Sequence, residues 1–155
     1  MTDTTDHAFL KRAVDLSYDH MRSGEGKPFG AVVVLDGRNV GEGWNAIFAQ
    51  KDPTAHAELM AIRRALKVTG RSDLEGAVLY ASGEPCPMCL GAMYFTKVSR
   101  CVYATTRTEA TRIGNITEAV YEEYPLPPAQ RSLPCIHQPM PEASAAFDEW
   151  LARAR

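Results

Sequence analysis

Two short segments leave this chain few ways to fold: Thr54-Ala55-His56-Ala57-Glu58 and Pro85-Cys86-Pro87-Met88-Cys89. Cys86 and Cys89 stand at i and i+3, so both thiols project from one turn at the start of a helix. With His56 they make three ligands, one short of a filled zinc tetrahedron, and catalytic zinc keeps that fourth position for water. Glu58, two residues past the histidine, is a carboxylate placed to move the proton of that water. The fold must therefore carry two distant segments to a single point.

Helical periodicity sharpens the role of Glu58. Asp52-Pro53-Thr54 opens a predicted helix that runs to Gly70, which suits a C-terminal cap. At about 100° per residue from Glu58, residues Ala61, Ile62, Ala65, Leu66 and Val68 fall in one broad apolar stripe. Arg63, Arg64 and Lys67 fall opposite. Glu58 thus points at the core, where a carboxylate is costly unless something pairs with it. A glutamate bonded to a neighbouring loop is the ordinary explanation; a metal-held water is the one that also explains His56. On a regular helix His56 and Glu58 diverge by about 200°, so they converge only beyond the helix N-terminus, toward which side chains tilt. Cys86 and Cys89, at the start of a helix predicted over Pro87 to Lys97, fit the same picture. Two positive helix ends aimed at one point favour thiolates.

Other uses of the cysteines account for less. A redox dithiol needs no upstream His-x-Glu. A closed structural zinc site using Cys101 or Cys135 leaves Glu58 idle, and both read as small buried hydrophobes. Two thiolates and a neutral imidazole cancel the charge of Zn²⁺, so the site acidifies its water less than an all-histidine site. A nearby base is then required, and Glu58 is that base.

The remaining pattern is α/β. A helix is predicted from residue 7 to 22, then a strand from Phe29 to Leu35. Asp36-Gly37 signals a hairpin into a second strand through Val40 and Trp44. Strands follow over Ala77–Ser82 and Arg100–Thr105, with a short helix over Arg107–Ile113. Tyr124-Pro125-Leu126-Pro127-Pro128 is a rigid connection, Ile136 is assigned to a fifth strand, and Glu142–Arg155 to a helical tail. Residues 1–155 read as a single domain. A net charge of −2 gives no general attraction to phosphate backbones, so nucleic acid is not the expected partner. The N-terminus shows no signal peptide, and no apolar run reaches the ~20 residues of a membrane span. A cytoplasmic location is the expectation.

These segments carry a resemblance. Pro53-Thr54-Ala55-His56-Ala57-Glu58 and Glu84-Pro85-Cys86-Pro87-Met88-Cys89-Leu90-Gly91-Ala92 resemble the zinc-dependent cytidine deaminase superfamily, whose His-x-Glu…Pro-Cys-x-x-Cys signature is already established. Within it the chain is most similar to the branch of bacterial guanine deaminases and related tRNA adenosine deaminases, from about Phe9 to Thr105. The resemblance implies a three-layer sandwich with a five-stranded mixed sheet between helices, and a homodimer or larger assembly. It also implies a zinc-activated water attacking the amine-bearing carbon of a nucleobase. By position, Asn45 matches a base-binding asparagine, Phe29 a pocket-wall aromatic and Phe95 a stacking aromatic; Ala57, inside the motif, joins them as a substrate contact.

The expected reaction is guanine to xanthine and ammonia. Residues Phe9 to Met21, Pro28-Phe29-Gly30 and Cys89-Leu90-Gly91-Ala92 resemble the guanine deaminase side. Arg63, Arg64 and Lys67 read as a solvated face rather than an RNA cradle. Two departures keep alternatives open. Relatives tend to carry a second carboxylate after a Gly-Phe pair; here the stretch is Gly114-Asn115-Ile116-Thr117-Glu118, with Glu118 the nearest candidate for a second proton shuttle. They also tend to end in an aromatic that closes a neighbouring subunit's pocket, whereas this sequence ends Trp150-Leu151-Ala152-Arg153-Ala154-Arg155. A tRNA adenosine deaminase, a deaminase of cytosine, isoguanine or an aminotriazine, and a non-catalytic zinc module are the alternatives.

Overall fold

In the computed structural model, which describes residues 4–153, helix and strand begin where the sequence changes period. Helix α1 (Thr4–Arg22) precedes strands β1 (Gly30–Leu35) and β2 (Arg38–Trp44). Then come α2 (Ala57–Thr69), β3 (Val78–Gly83), α3 (Pro87–Phe95) and β4 (Arg100–Thr105). Asp36 and Gly37 turn the β1–β2 hairpin with φ of 50° and 72°, the paired left-handed conformation that suits a twisted two-residue loop. The sheet order is β2-β1-β3-β4, with β1 antiparallel to both neighbours and β3 parallel to β4.

Side-chain alternation along β1 builds three layers. Ala31 and Val33 face α2 and α3, packing with Ala61, Ile62, Ala65, Leu79 and Met93. Val32 and Val34 face the other way, against Ala13 and Leu16 of α1 and Tyr80 of β3. The sandwich is as expected, but among the described residues its sheet has four strands. Ile136 lies in no strand. Prolines at 134, 139 and 141 bracket it and remove amide donors that a ladder needs.

Two boundaries differ from expectation for local reasons. Helix α2 starts at Ala57 rather than Pro53, because Asp52 Oδ1 accepts from both the Thr54 amide (2.8 Å) and hydroxyl (2.7 Å) and closes a turn there. Val68 is 71% exposed, as befits a residue at the margin of the apolar stripe. Helix α3 stops at Phe95, and Lys97 adopts a φ of 58°. After β4, α4 (Arg107–Ala110) leads through a 3₁₀ turn (Thr111–Ile113) to α5 (Thr117–Glu123), a helix not foreseen in the sequence.

The chain divides into two compact units, Met1–Tyr121 and Glu122–Arg155. Within the second, Arg131 ties its own connection by donating to the carbonyls of Leu126 (2.9 Å) and Tyr124 (3.0 Å). Helix α6 (Pro141–Arg153) forms most of the predicted tail; residues 154 and 155 lie outside the described residues. Cys135, expected to be buried, is exposed between the prolines that keep its segment extended. No described helix is long and apolar enough to cross a membrane.

Candidate active site

His56 and Cys86 occupy equivalent places in two different helices. Each is an N-cap with extended backbone, His56 at φ −76° and ψ 153° before α2, Cys86 at φ −73° and ψ 167° before α3. The helical divergence between His56 and Glu58 therefore disappears, since His56 is not helical. Cys86 Sγ accepts from the Cys89 amide at 3.5 Å, so the thiol serves as the cap of its own helix. Pro87 follows at the first helical position, where its missing amide costs nothing.

The imidazole lies between the two sulfurs, with Nδ1 3.4 Å from Cys86 Sγ and 3.6 Å from Cys89 Sγ. A zinc tetrahedron with bonds of about 2.1–2.3 Å has edges of about 3.6 Å, so these three donors fit that ion. Among the described residues they are the group able to hold a metal. Cys101 is not among them; it packs half-buried against the core, and burial pushes its thiol up to about 12.

Glu58 is 7% exposed, within hydrogen-bonding reach of Cys89. Burial, reinforced by the charge of Cys86, pushes its carboxyl up to about 7; a bound cation acts in the opposite direction. Hydrogen bonds from Cys89 and His56 hold Cys86 down at about 4, while the shared proton and burial raise Cys89. His56 is raised, chiefly by its contact with Cys86. One cysteine is thus already a thiolate at neutral pH, and a carboxyl capable of taking and releasing a proton lies beside it.

Close backbone packing sets this corner. Gly43 of β2 lies so near α2 that a Cβ there would stand 2.1 Å from the Ala57 carbonyl. The glycine lets the first turn of α2, with Ala57 (1% exposed) and Glu58, lie directly on the sheet.

Asn45, 3% exposed, follows β2 and is gripped by the loop before β1. Its Oδ1 accepts from the Lys27 amide at 3.0 Å, and its own amide donates to the Phe29 carbonyl at 2.9 Å. Phe29 packs against Gly83, where a Cβ would meet its ring at 2.9 Å, three residues before Cys86. Asn45 and Phe29 are therefore brought together with each other and with the strand that leads to the cysteines.

Phe95 and Glu118 are placed otherwise. Phe95 is 92% exposed at the far end of α3 from Cys86. Glu118 pairs with Arg107 Nε at 2.9 Å. Arg107 also donates its amide to Glu84 at 2.9 Å and lies over the Tyr121 ring, 4.5 Å from its centre. Tyr121 in turn donates to the Pro85 carbonyl at 3.1 Å, next to Cys86. Glu84, Arg107 and Tyr121 brace the cysteine loop; Glu84 adjoins the motif in sequence, and no sequence signal marked the other two.

Residues 3–105 match the model of the cytidine and deoxycytidylate deaminase zinc-binding region. The chain belongs to that family of zinc-dependent deaminases. Within it, the chain is 43% identical over 142 residues to the guanine deaminase of Bacillus subtilis, covering 92% of this chain and 91% of that one. The crystal structure of that enzyme superposes with a TM-score of 0.91 at 40% identity, covering 97% of this chain and 95% of that one. The tRNA-specific adenosine deaminase of Haemophilus influenzae is 39% identical over 71% of this chain and 64% of its own length. NE0047 in complex with 2,6-diaminopurine matches at 26% identity and a TM-score of 0.66, over 71% of this chain and 61% of that one.

Proposed function

We propose that this protein hydrolytically deaminates a free nucleobase, with guanine to xanthine and ammonia as its reaction. The observation that carries this reading is Glu58, a buried carboxyl beside a complete His56, Cys86 and Cys89 donor set. The likeness to a guanine deaminase over nearly the whole chain supports the choice of base.

Zinc bound by His56, Cys86 and Cys89 would supply Lewis-acid activation of a water molecule. Glu58 accepts a proton from the attacking water and passes it to the ring nitrogen; it then takes the remaining proton of the added hydroxyl as the carbonyl forms and delivers it to the amine, which departs as ammonia. A buried carboxyl beside the ligand set can take a proton in one half of that transfer and give it up in the other. Asn45 orients the base through its carboxamide and Phe29 forms the wall; Ala57 contributes the first-turn backbone of α2. In this proposal Glu118 is a second proton carrier whose orientation is set by Arg107. Phe95 and Tyr94, 92% and 78% exposed on a helix without a polar face, are the surface through which two copies assemble.

Ammonia release across free bases, nucleosides, aminotriazines and an anticodon stem-loop tests the reading. Guanine is expected to be the fastest substrate. Turnover confined to the stem-loop would instead favour tRNA adenosine deamination, and failure on every free base overturns the proposal.

A further inference from the structure

Glu84, Pro85 and Cys86 join β3 to α3, and each is fixed by a partner distant in sequence. The Glu84 amide donates to the Thr105 carbonyl at 2.7 Å, and its carboxylate accepts from the Arg107 amide at 2.9 Å. Pro85 is buried, and its carbonyl accepts from the Tyr121 hydroxyl at 3.1 Å. A buried carbonyl without a donor is costly, so this bond fixes the plane of the peptide between Pro85 and Cys86. Cys86 projects from that peptide. With φ −73° and ψ 167° it caps α3 and turns its Sγ to within 3.4 Å of His56 Nδ1.

The donor to Pro85 is itself held. Glu118 and Tyr121 stand at i and i+3 of α5, on one face of the helix. Both meet Arg107: its guanidinium lies 4.5 Å from the centre of the Tyr121 ring, and its Nε lies 2.9 Å from Glu118 Oε2. The same side chain reaches toward Glu84, with Nη1 3.8 Å from Oε1. Arg107 thus meets two carboxylates and an aromatic face, surroundings that suit a planar guanidinium better than an ammonium. Burial raises the Tyr121 phenol above its ordinary value, so the hydroxyl is a donor at neutral pH. Arg107, Glu118 and Tyr121 all lie beyond residues 3–105, which the family's zinc-binding region matches, so the motif does not supply them.

We infer that Tyr121, held by Arg107, is a positioning residue of the metal centre. Its hydroxyl sets the Pro85 carbonyl and, through that peptide, the direction of Cys86 and the firmness with which the donor set keeps its ion. This role needs only the donor set of His56, Cys86 and Cys89, whatever base is turned over. Groups that orient a ligand without touching the ion commonly change metal affinity about tenfold to a hundredfold when they are lost.

Full-length protein is loaded with cobalt for its absorption spectrum, and separately with zinc for the rate of release to a chelator. Cobalt serves because its thiolate charge-transfer and ligand-field bands follow the geometry of the site. Tyr121→Phe removes only the hydroxyl; it should move those bands and speed zinc release about tenfold. Arg107→Met leaves the hydroxyl but frees the ring that carries it. It should act in the same direction by a smaller factor, and it carries the test if Tyr121→Phe does not fold. Asp6→Asn loosens α1 on the other face of the sheet and is the control for stability alone, with both readouts expected at parent values. Bands and release unchanged in Tyr121→Phe overturn the role of Tyr121, and so does faster release that Asp6→Asn reproduces. A parent protein that takes up no cobalt overturns the donor set on which that role stands.

Discussion

His56, Cys86 and Cys89 are held at the starts of helices, whereas Asn45 is held by a loop through the Lys27 amide. On the metal side each ligand sits in or beside an N-cap, so its direction follows from the helix behind it. On the proposed recognition side the directions depend on Glu25, whose carboxylate accepts from Trp44 Nε1 at 2.7 Å, nineteen residues on, and on one close backbone approach, that of Gly26 to Asn45. The first arrangement takes its geometry from the stiff helices behind the ligands. The second concentrates its geometry in a few hydrogen bonds. The proposed reading therefore makes chemistry and selectivity separable.

The largest effect should come from the metal side. Glu58→Gln removes the proton carrier while keeping shape, so turnover is expected to fall roughly 10²–10⁴-fold with zinc content unchanged. Ammonia release and metal analysis on one sample check this; undiminished turnover would sink the mechanism. Gly43→Ala attacks the same side through packing. Its Cβ would meet the Ala57 carbonyl at 2.1 Å and the Ala61 amide at 2.4 Å, and backbone cannot give way as a side chain can. A destabilisation of about 1–3 kcal/mol in denaturant unfolding is expected, together with weakened zinc binding.

Gly26→Ala is the counterpart on the recognition side. The added Cβ collides with Asn45, 2.1 Å from its carbonyl and 2.3 Å from Oδ1. Zinc content should stay at one per chain while kcat/KM drops about tenfold to a hundredfold, a cost typical of misplacing a positioning group. Glu25→Gln keeps the size of the anchor but not its charge, and a rise in KM of roughly threefold to tenfold is expected. If either variant loses zinc before it loses substrate, the separation of the two sides fails.

The same contrast explains what could be read from the sequence. His56, Glu58, Cys86 and Cys89 were legible because metal ligands are fixed residue types at fixed spacing, and the helices behind them are periodic. The placement of Glu58 on the apolar face of α2 followed from that period alone. Glu25 was not legible, because a Gly-rich loop has no period and its partners come from α1 and β2. The bracing by Arg107 and Tyr121 was hidden for the same reason, and α5 was missed because seven residues carry little periodic signal. Strand Arg100–Thr105 was read to the residue, its ends marked by Arg100 and the capping Thr106. The assigned fifth strand failed because an isolated isoleucine among prolines says nothing about a partner.

The smallest effect on activity should come from Asp6, which serves as a control on stability. Its carboxylate accepts from Arg100 at 2.7 and 2.8 Å and from Tyr80 at 2.6 Å, tying α1 to β4 and β3 on the face of the sheet that α1 covers. The Arg100 guanidinium, helped by the Tyr80 hydroxyl, holds this carboxyl down at about 2. A carboxyl whose folded value lies below its unfolded value of about 3.9 stabilises the protein fully above the latter. The contribution fades as pH falls toward the folded value. Asp6→Asn should therefore unfold more readily than wild type at pH 7, and the difference should narrow between about pH 4 and pH 2. Unfolding midpoints measured across that range check the sign. Because Asp6 touches neither side of the site, kcat, KM and zinc content should stay close to wild type well below the unfolding temperature. A parallel loss of activity would mean that both sides simply follow global stability, and the separability argued from Gly43 and Gly26 would be lost.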